Sequence, residues 1–279
     1  MPKRKLSMTR KKMHILQIST GWILSLIVII PFLIVLFNSV KTENESINML
    51  LTPPVAVHLE NFVTVWKIGS ILKSYRNSLF VSVTPTLITM LSASMCSYVL
   101  VRKQTGINKF YYKLFAMGLM FPVSMVSVVK VSKMFGLYNS LPGLILVFSS
   151  LILPLTVFLY YGFIRAIPKE MDEAGIMDGA NALQVFFRIL FPMMKPVTST
   201  VILLNFLNCW NDFMVPLYLL PDPDRSVILQ QVYNFYGTFT ASWNLVSVTI
   251  IYAVLPVVVV YFLGQKYIIS GMTAGAIKG

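Results

Sequence analysis

Polar side chains inside one apolar stretch of the chain could form a specific binding surface. Asn205, Asn208 and Asp212 follow each other at helical spacing, with Trp210 and Asn211 beside them. An ionisable group within an apolar span usually faces the protein interior or an aqueous cavity and defaults to a functional interpretation. Amides, a carboxylate and an indole could line a path for a hydroxyl-rich solute. Equally, Asp212 and Asn211 could hold helices together or cap a helix break before Pro216.

A second chemically distinctive stretch is the charged segment 165–196, which separates two strongly apolar tracts. It holds four of the ten acidic residues of the chain: Glu170, Asp172, Glu173 and Asp178. The apolar spacing within it predicts short amphipathic helices, and Gly179 could form the bend between them. Such a loop is a docking surface, either for lipid or for a soluble partner.

The composition is that of a polytopic membrane protein. Charged residues make up 12% of the 279 positions, hydrophobic residues 56%, and the mean hydropathy is +0.74. The net charge of +13 is better explained by membrane orientation than by nucleic acid, and no nucleic-acid partner is expected. His14, His58, Cys96 and Cys209 form no ligand cluster, so no metal is expected. Phosphate-loop, nucleophile-elbow and dinucleotide motifs are absent, so catalysis and a bound cofactor are not expected.

Six apolar tracts approach the roughly 20 helical residues that cross a bilayer. They are predicted at 22–40, 77–101, 110–129, 141–164, 197–220 and 246–267, and a short amphipathic helix is predicted around 59–68. The first tract follows six basic residues but lacks a cleavage site, so it is interpreted as a retained helix.

The distribution of Lys and Arg predicts the orientation. With the amino terminus inside, sixteen of the 23 basic residues lie on the inner side and seven on the outer side. This topology places both termini and segment 165–196 in the cytoplasm.

Segment 165–196 resembles a family motif. Glu173-Ala174-Gly175, then Asp178-Gly179-Ala180, then Ile189-x-x-Pro192 is similar to the loop motif of binding-protein-dependent ABC importer permeases. Two residues depart from it: Gly175 stands for a second Ala and Phe191 for Leu. The stretch Trp210–Phe213 and the tail 271–279 resemble the carbohydrate-uptake subgroup, specifically the second, maltose-permease-like subunit of a heterodimer.

The resemblance implies an all-α integral membrane protein with six transmembrane helices, the type I ABC importer permease architecture and cytoplasmic coupling helices. It divides the chain into a basic cytoplasmic amino terminus (1–21), a first span (22–40), an external segment (41–76), the permease core (77–267) and a cytoplasmic tail (268–279). It implies a bacterial cell-membrane location. The implied ATPase-coupling residues are Glu173, Ala174, Gly175, Asp178, Gly179, Ala180 and Pro192.

The implied partners are a homologous permease, a cytoplasmic ABC ATPase dimer, an extracytoplasmic solute-binding protein that contacts outer loops including 221–244, a sugar and membrane lipid. The tail after Gly271 is also expected to touch the ATPase.

Other functions remain open at this point. The solute could be something other than sugar. An ion-coupled carrier that uses Asp212 is possible, although no inverted repeat is found. A membrane scaffold without transport is disfavoured, because the loop carries as many acids as bases.

Overall fold

The computed structural model describes residues 3–236 and 242–276, and regular structure in them is helical. The α-helices are α1 (Lys3–Ser39), α2 (Glu43–Ser46), α3 (Glu60–Ile68), α4 (Ile71–Arg102), α5 (Gly106–Gly118), α6 (Met125–Met134), α7 (Leu141–Arg165), α8 (Glu170–Met177), α9 (Ala182–Gln184), α10 (Phe191–Met193), α11 (Lys195–Asn211), α12 (Met214–Leu219) and α13 (Trp243–Ala276). A π-helix covers Val185–Leu190, and 3₁₀ turns cover Pro223–Arg225 and Ile228–Asn234.

Several helices are long and apolar enough to cross a membrane. Within the described residues these are Gln17–Ser39, Ile71–Arg102, Leu141–Arg165 and Trp243–Phe262, and a bent pair, Ala182–Met193 with Lys195–Asn211, supplies a fifth candidate. The all-helical, multi-pass character predicted from the sequence is therefore confirmed. The predicted loop helix at 59–68 is also present, as α3.

The third predicted span is not one helix. Residues 110–129 are divided between α5, which ends at Gly118, and α6, which begins at Met125. Pro122 has no amide hydrogen to continue the first helix, and the Ser124 hydroxyl accepts a hydrogen bond from the Ser127 amide to start the second. With 13 residues, α5 is about 20 Å long and shorter than the hydrocarbon layer.

The fifth predicted span, 197–220, is also interrupted. Helix α11 begins at Lys195 and ends at Asn211, and the backbone of Asp212 is extended (ψ 120°) before α12 begins at Met214. The Asp212 side chain accepts a hydrogen bond from the Val215 amide at 2.9 Å, and Pro216 cannot donate one. These two residues end one helix and start the next.

The chain divides into two compact units, and the first comprises residues 1–71 and 231–252. Its buried residues include several polar side chains. Lys41 is 1% exposed, and its ammonium donates to the oxygens of Asn38, Leu50 and Thr52. The Asn61 amide donates to the carbonyls of Ser39 and Lys41 at 3.0 and 2.9 Å. These bonds fix the segment that follows α1.

The second unit comprises residues 72–230 and 253–279. Helix α7 lies at its centre and packs against α5, α11 and α12. One apolar cluster surrounds Tyr160 and Phe186, and another surrounds Phe148 and Leu219. Close helix packing is visible at Gly264, where a Cβ would lie 2.4 Å from the Leu203 side chain. This small residue lets α13 approach α11, as is common between membrane helices.

Candidate functional site: the loop between α7 and α11 and the polar end of α11

The loop begins with a short acidic helix. Helix α7 ends where the Ala166 amide donates to the carbonyls of Phe163 and Ile164. After the buried Ile167, α8 begins with three acidic residues in its first turn: Glu170, Asp172 and Glu173. Carboxylates at this end are stabilised by the free amides and the positive end of the helix dipole. The local sequence thus favours a helix here even though it has only eight residues.

A glycine turn ends this helix. Gly179 has φ +81°, a conformation that costs roughly 1–2 kcal/mol for a residue with a Cβ. The Ala180 amide donates to the Gly175 carbonyl at 3.0 Å and the Gly179 amide to the Ile176 carbonyl at 2.9 Å. These two bonds form a Schellman motif. The bend predicted at Gly179 is present.

Gly175, one of the two departures from the family motif, lies at a close contact. It is buried, and a Cβ there would lie 2.5 Å from Cδ1 of Ile189 and 3.3 Å from Cγ2 of Val185. The absence of a side chain therefore lets α8 pack directly on the π-helix. Gly175 shapes the loop from within and is not part of its surface.

The other predicted coupling residues are mostly at the surface. Glu173, Ala174, Asp178 and Gly179 are exposed and Ala180 is half-buried. Two large apolar side chains of α8 are also open to solvent: Ile176 is 59% exposed and Met177 is 86% exposed. Pro192 is exposed as well, but it lies in α10 and not in α8 or its turn. The α8 turn thus presents acidic and apolar groups together.

The second half of the loop forms a corner. Asn181 and Gln184 make a reciprocal capping box that starts α9, and the helix continues through the π-helix into α10. The axis then bends by 79° into α11. Met194 lies at the bend, fully buried, and its amide donates to the carbonyls of Leu190 and Phe191. The corner is thereby held in a defined geometry.

An ion pair attaches α8 to the end of α4. Arg102 Nε lies 2.6 Å from Asp172 Oδ2 and Arg102 Nη2 lies 3.2 Å from Oδ1, so the contact is two-pronged. The same guanidinium donates to the carbonyls of Ile167 and Pro168 at 3.1 and 3.4 Å. The side chains are only 11% and 9% exposed. Sequence reasoning counted Arg102 for orientation only, and nothing in the spacing links two residues 70 positions apart.

At the second predicted site, the structure separates the polar residues. Asn205 is buried, and its amide nitrogen donates to the hydroxyls of Thr89 and Thr156 at 3.2 and 2.9 Å. Trp210 is also buried; its indole N–H donates to the Ala253 carbonyl, and its ring stacks with Tyr75 and Phe206. Both residues join helices together within the second unit.

The remaining three residues share a different surface. Asn208, Asn211 and Asp212 line a shallow depression of about 490 Å³ together with Leu204 and Leu207. The predicted common face of Asn205 and Asp212 does not exist, because α11 ends at Asn211 and the spacing of seven residues no longer applies. Of the two roles considered for Asp212 in the sequence analysis, the structure shows the capping of a helix break, through its bond with the Val215 amide. Asp212 also borders the depression.

The turn at residues 222–228 of the second unit is fixed by charge and by hydrogen bonds. The Lys73 ammonium lies 2.5 Å from the Asp224 carboxylate, and this hydrogen bond and charge lower the pKa of Asp224. The Asn77 amide donates to the Ser226 carbonyl, and the Ser78 hydroxyl accepts from the Ile228 amide. Residues 224–228 of segment 221–244 are thus tied to the start of α4, whereas residues 237–241 lie outside the described residues. Residues 277–279 of the tail also lie outside them.

Comparison with solved structures defines the class of fold. The chain matches one chain of a bacterial ABC transporter involved in the import of the acidic polysaccharide alginate, with a TM-score of 0.79 and 20% identity over 93% of this chain and 97% of that one. A methionine ABC transporter matches with a TM-score of 0.55 over 75% of this chain. The fold of this chain is therefore shared with chains of two ABC transporters.

Sequence relatives define the family. The family described as "binding-protein-dependent transport system inner membrane component" matches residues 11–274. The chain is 31% identical over 273 residues, 96% of its length and 99% of the relative's, to a probable starch degradation products transport system permease of Thermoanaerobacterium thermosulfurigenes. It is 33% identical over 253 residues, 90% of its length and 91% of the relative's, to the melibiose/raffinose/stachyose import permease of Bacillus subtilis.

The chain therefore belongs to the family of binding-protein-dependent transport system inner membrane components. It is a multi-pass membrane permease subunit of an ABC importer, and not the enzyme of that system: ATP is hydrolysed by a separate ATPase subunit. Such systems also include a substrate-binding protein. This result removes the isolated ion-coupled carrier and the lipid-bound scaffold as descriptions of the whole protein.

Proposed function

We propose that this subunit pairs with a second, homologous permease to form the membrane path of an importer for a sugar or oligosaccharide. The curated relatives carry names that specify starch degradation products, melibiose, raffinose, stachyose and diacetylchitobiose. Their agreement on carbohydrates supports the substrate class, and a non-sugar solute is the alternative within the same family.

The proposed path surface is the depression lined by Asn208, Asn211 and Asp212. These amides and this carboxylate are open, whereas Asn205 and Trp210 are committed to contacts within the subunit. Two amides and a carboxylate offer the donors and acceptors that sugar hydroxyls require. A second permease would close this shallow depression into a channel.

The topology we propose keeps six crossings with both termini in the cytoplasm. The third crossing would consist of α5 with the segment leading to α6, and the fifth of α11 with α12. Non-helical backbone at membrane depth is tolerated where protein buries it or a cavity hydrates it. The excess of basic residues at the amino terminus and in the segments 102–113 and 165–195 supports this orientation.

The loop 165–196 is the proposed ATPase contact, and α8 with its glycine turn is the single observation that carries this assignment. Glu173, Ala174, Asp178, Gly179 and Ala180 lie along one short helix and its turn, next to the exposed Ile176 and Met177. This surface of mixed apolar and acidic character fits a groove on a soluble protein better than an anionic membrane. The tail after Gly271 is a second proposed contact.

A charged substitution at the turn tests this function. Gly179→Asp introduces a Cβ at φ +81° and a carboxylate at the proposed contact, so uptake should fall by at least about tenfold while the chain stays in the membrane. The measurement is substrate-stimulated ATP hydrolysis and uptake in proteoliposomes that contain both permeases, the ATPase and candidate sugar-loaded binding proteins.

Gly106→Asp is the matched control. Gly106 is exposed with no heavy atom within 4 Å of a Cβ, and its φ is not positive, so this variant should behave as wild type. Wild-type uptake by Gly179→Asp would refute the contact. Stimulation only by binding proteins loaded with amino acids or other non-sugars would refute the substrate class.

A further inference from the structure

We propose that Arg102 and Asp172 form a latch through which movement of the loop helix α8 is transmitted to the membrane helix α4. The two are positioning residues, and neither has to touch the ATPase or the solute. The inference rests on the proposed coupling role of the loop and extends it to a helix that the loop does not continue into.

The connectivity of the chain makes a non-covalent link necessary. The loop continues directly into α7 at one end and α11 at the other, so displacement of the loop acts on these helices through the backbone. Helix α4 ends at Arg102, 70 residues before Asp172 in sequence. It can follow α8 only through side-chain contacts.

The geometry of the pair suits force transmission. Both carboxylate oxygens of Asp172 receive a guanidinium nitrogen, and the remaining donors reach the carbonyls of Ile167 and Pro168. One side chain of α4 thus holds the first turn of α8 and the connector before it. A two-pronged arginine–carboxylate contact resists both sliding and rotation, unlike a single point contact.

Burial distinguishes this pair from a more exposed ion pair of the same unit. The Arg102 and Asp172 side chains are 11% and 9% exposed, whereas Lys73 and Asp224 are 41% and 83% exposed. Water can replace the exposed contact readily. Removing one partner of this largely buried pair leaves the other charge without compensation, so the two residues stay together as the loop moves.

A second contact joins the same turn of α4 to the other half of the loop. The Tyr98 ring lies 5.7 Å, centroid to centroid, from the Phe186 ring in the π-helix. Phe186 is 2% exposed. The last turn of α4 therefore contacts both arms of the loop, and the ion pair is the directional part of this attachment.

The experiment measures how much ATP is hydrolysed per solute imported. Asp172→Asn and Arg102→Gln are placed in the complete transporter, in proteoliposomes with the loaded binding protein outside. Both variants should co-purify with the ATPase as wild type does, yet the ATP consumed per imported solute should rise at least about fivefold. Asp172→Glu keeps the charge and both oxygens, so its ratio should stay within about twofold of wild type.

Two other charges provide matched controls. Lys103→Gln removes the base next to Arg102, and Lys109→Gln removes a base from α5; both side chains are exposed and lie outside the loop 165–196. These variants should leave the ratio of ATP to solute unchanged. A change equal to that of Asp172→Asn would show that general charge, and not the pair, sets the ratio, and would overturn the latch.

The remaining outcomes separate the latch from the coupling role on which it rests. Loss of ATPase co-purification in Asp172→Asn would assign the pair to folding of the loop and overturn the latch. An unchanged ratio in Asp172→Asn and Arg102→Gln, with uptake lost in Gly179→Asp, would overturn the latch alone. Wild-type uptake in Gly179→Asp would overturn both proposals.

Discussion

The loop 165–196 and the polar end of α11 both carry polar residues between apolar tracts, but they use them differently. In the loop, polar groups are committed to local caps and to one ion pair, and this leaves a rigid surface with exposed acids and apolar side chains. In α11, the polar set is divided between buried helix contacts and an open depression. The loop is therefore held in one conformation by its own hydrogen bonds, whereas the end of α11 leaves the side-chain amides of Asn208 and Asn211 open to a solute.

This difference predicts where a larger side chain is tolerated. We expect the largest loss of stability from a substitution in the loop. Gly175→Leu would force a side chain against Ile189 and Val185, so we expect a loss of about 1–3 kcal/mol of stability. The measurement is thermal unfolding in detergent, followed by a thiol-reactive dye on the buried Cys209.

Combining Gly175→Leu with Ile189→Ala returns volume across the same contact and should recover much of the loss. Gly162→Leu adds the same side chain at an exposed position of α7 without neighbours within 4 Å of a Cβ, and it should be close to neutral. If the double variant is no more stable than Gly175→Leu, the contact with Ile189 does not control loop packing.

Substitutions of Asp212, at the break after α11, should have an intermediate effect on stability. They also separate its role as a helix cap from a role of its negative charge in transport. Asp212→Asn retains an oxygen that can accept from the Val215 amide, whereas Asp212→Ala removes it at a cost of about 1 kcal/mol. We therefore expect near wild-type stability and uptake for Asn, and lower values for Ala. Uptake lost equally in both variants, with stability retained by Asn, would show that the negative charge itself serves transport.

A small stability effect is expected at Asn205, and comparison with Asn208 tests whether the two residues have different roles. Asn205→Leu should cost only about 0.6 kcal/mol, because Thr89 and Thr156 also donate to carbonyls of their own helices. Asn208→Leu should leave the unfolding temperature unchanged but lower uptake about fivefold, the worth of roughly one hydrogen bond. The reverse pattern would place the solute on the Asn205 side.

Much of the architecture could be predicted because its signals are local. The predicted span 141–164 matches helix α7 to within one residue, because its apolar run is continuous. The Ser140 hydroxyl, which caps the helix in the structure, was not used in that prediction. The bend at Gly179 was also predictable, because glycine readily adopts the positive φ that closes a helix there.

The helix breaks and the ion pair could not be predicted in the same way. Proline does not by itself mark a break: Pro85 and Pro154 lie inside continuous helices, whereas Pro122 and Pro216 accompany interruptions. The outcome depends on whether a neighbouring side chain caps a new helix. The partner of Arg102 depends on tertiary packing, which no spacing rule contains.

The 79° corner at Met194 has a mechanical consequence for the path. The arm Ala182–Met193 is roughly 17 Å long at about 1.5 Å per residue, so a sideways push of about 3 Å at its tip would turn α11 by roughly 10° about its axis. A side chain about 6 Å from that axis, such as Asn208, would move by only about 1 Å. A push on the arm would therefore be converted into a smaller movement of the residues on α11, and rotation of α11 would shift Asn208 only slightly.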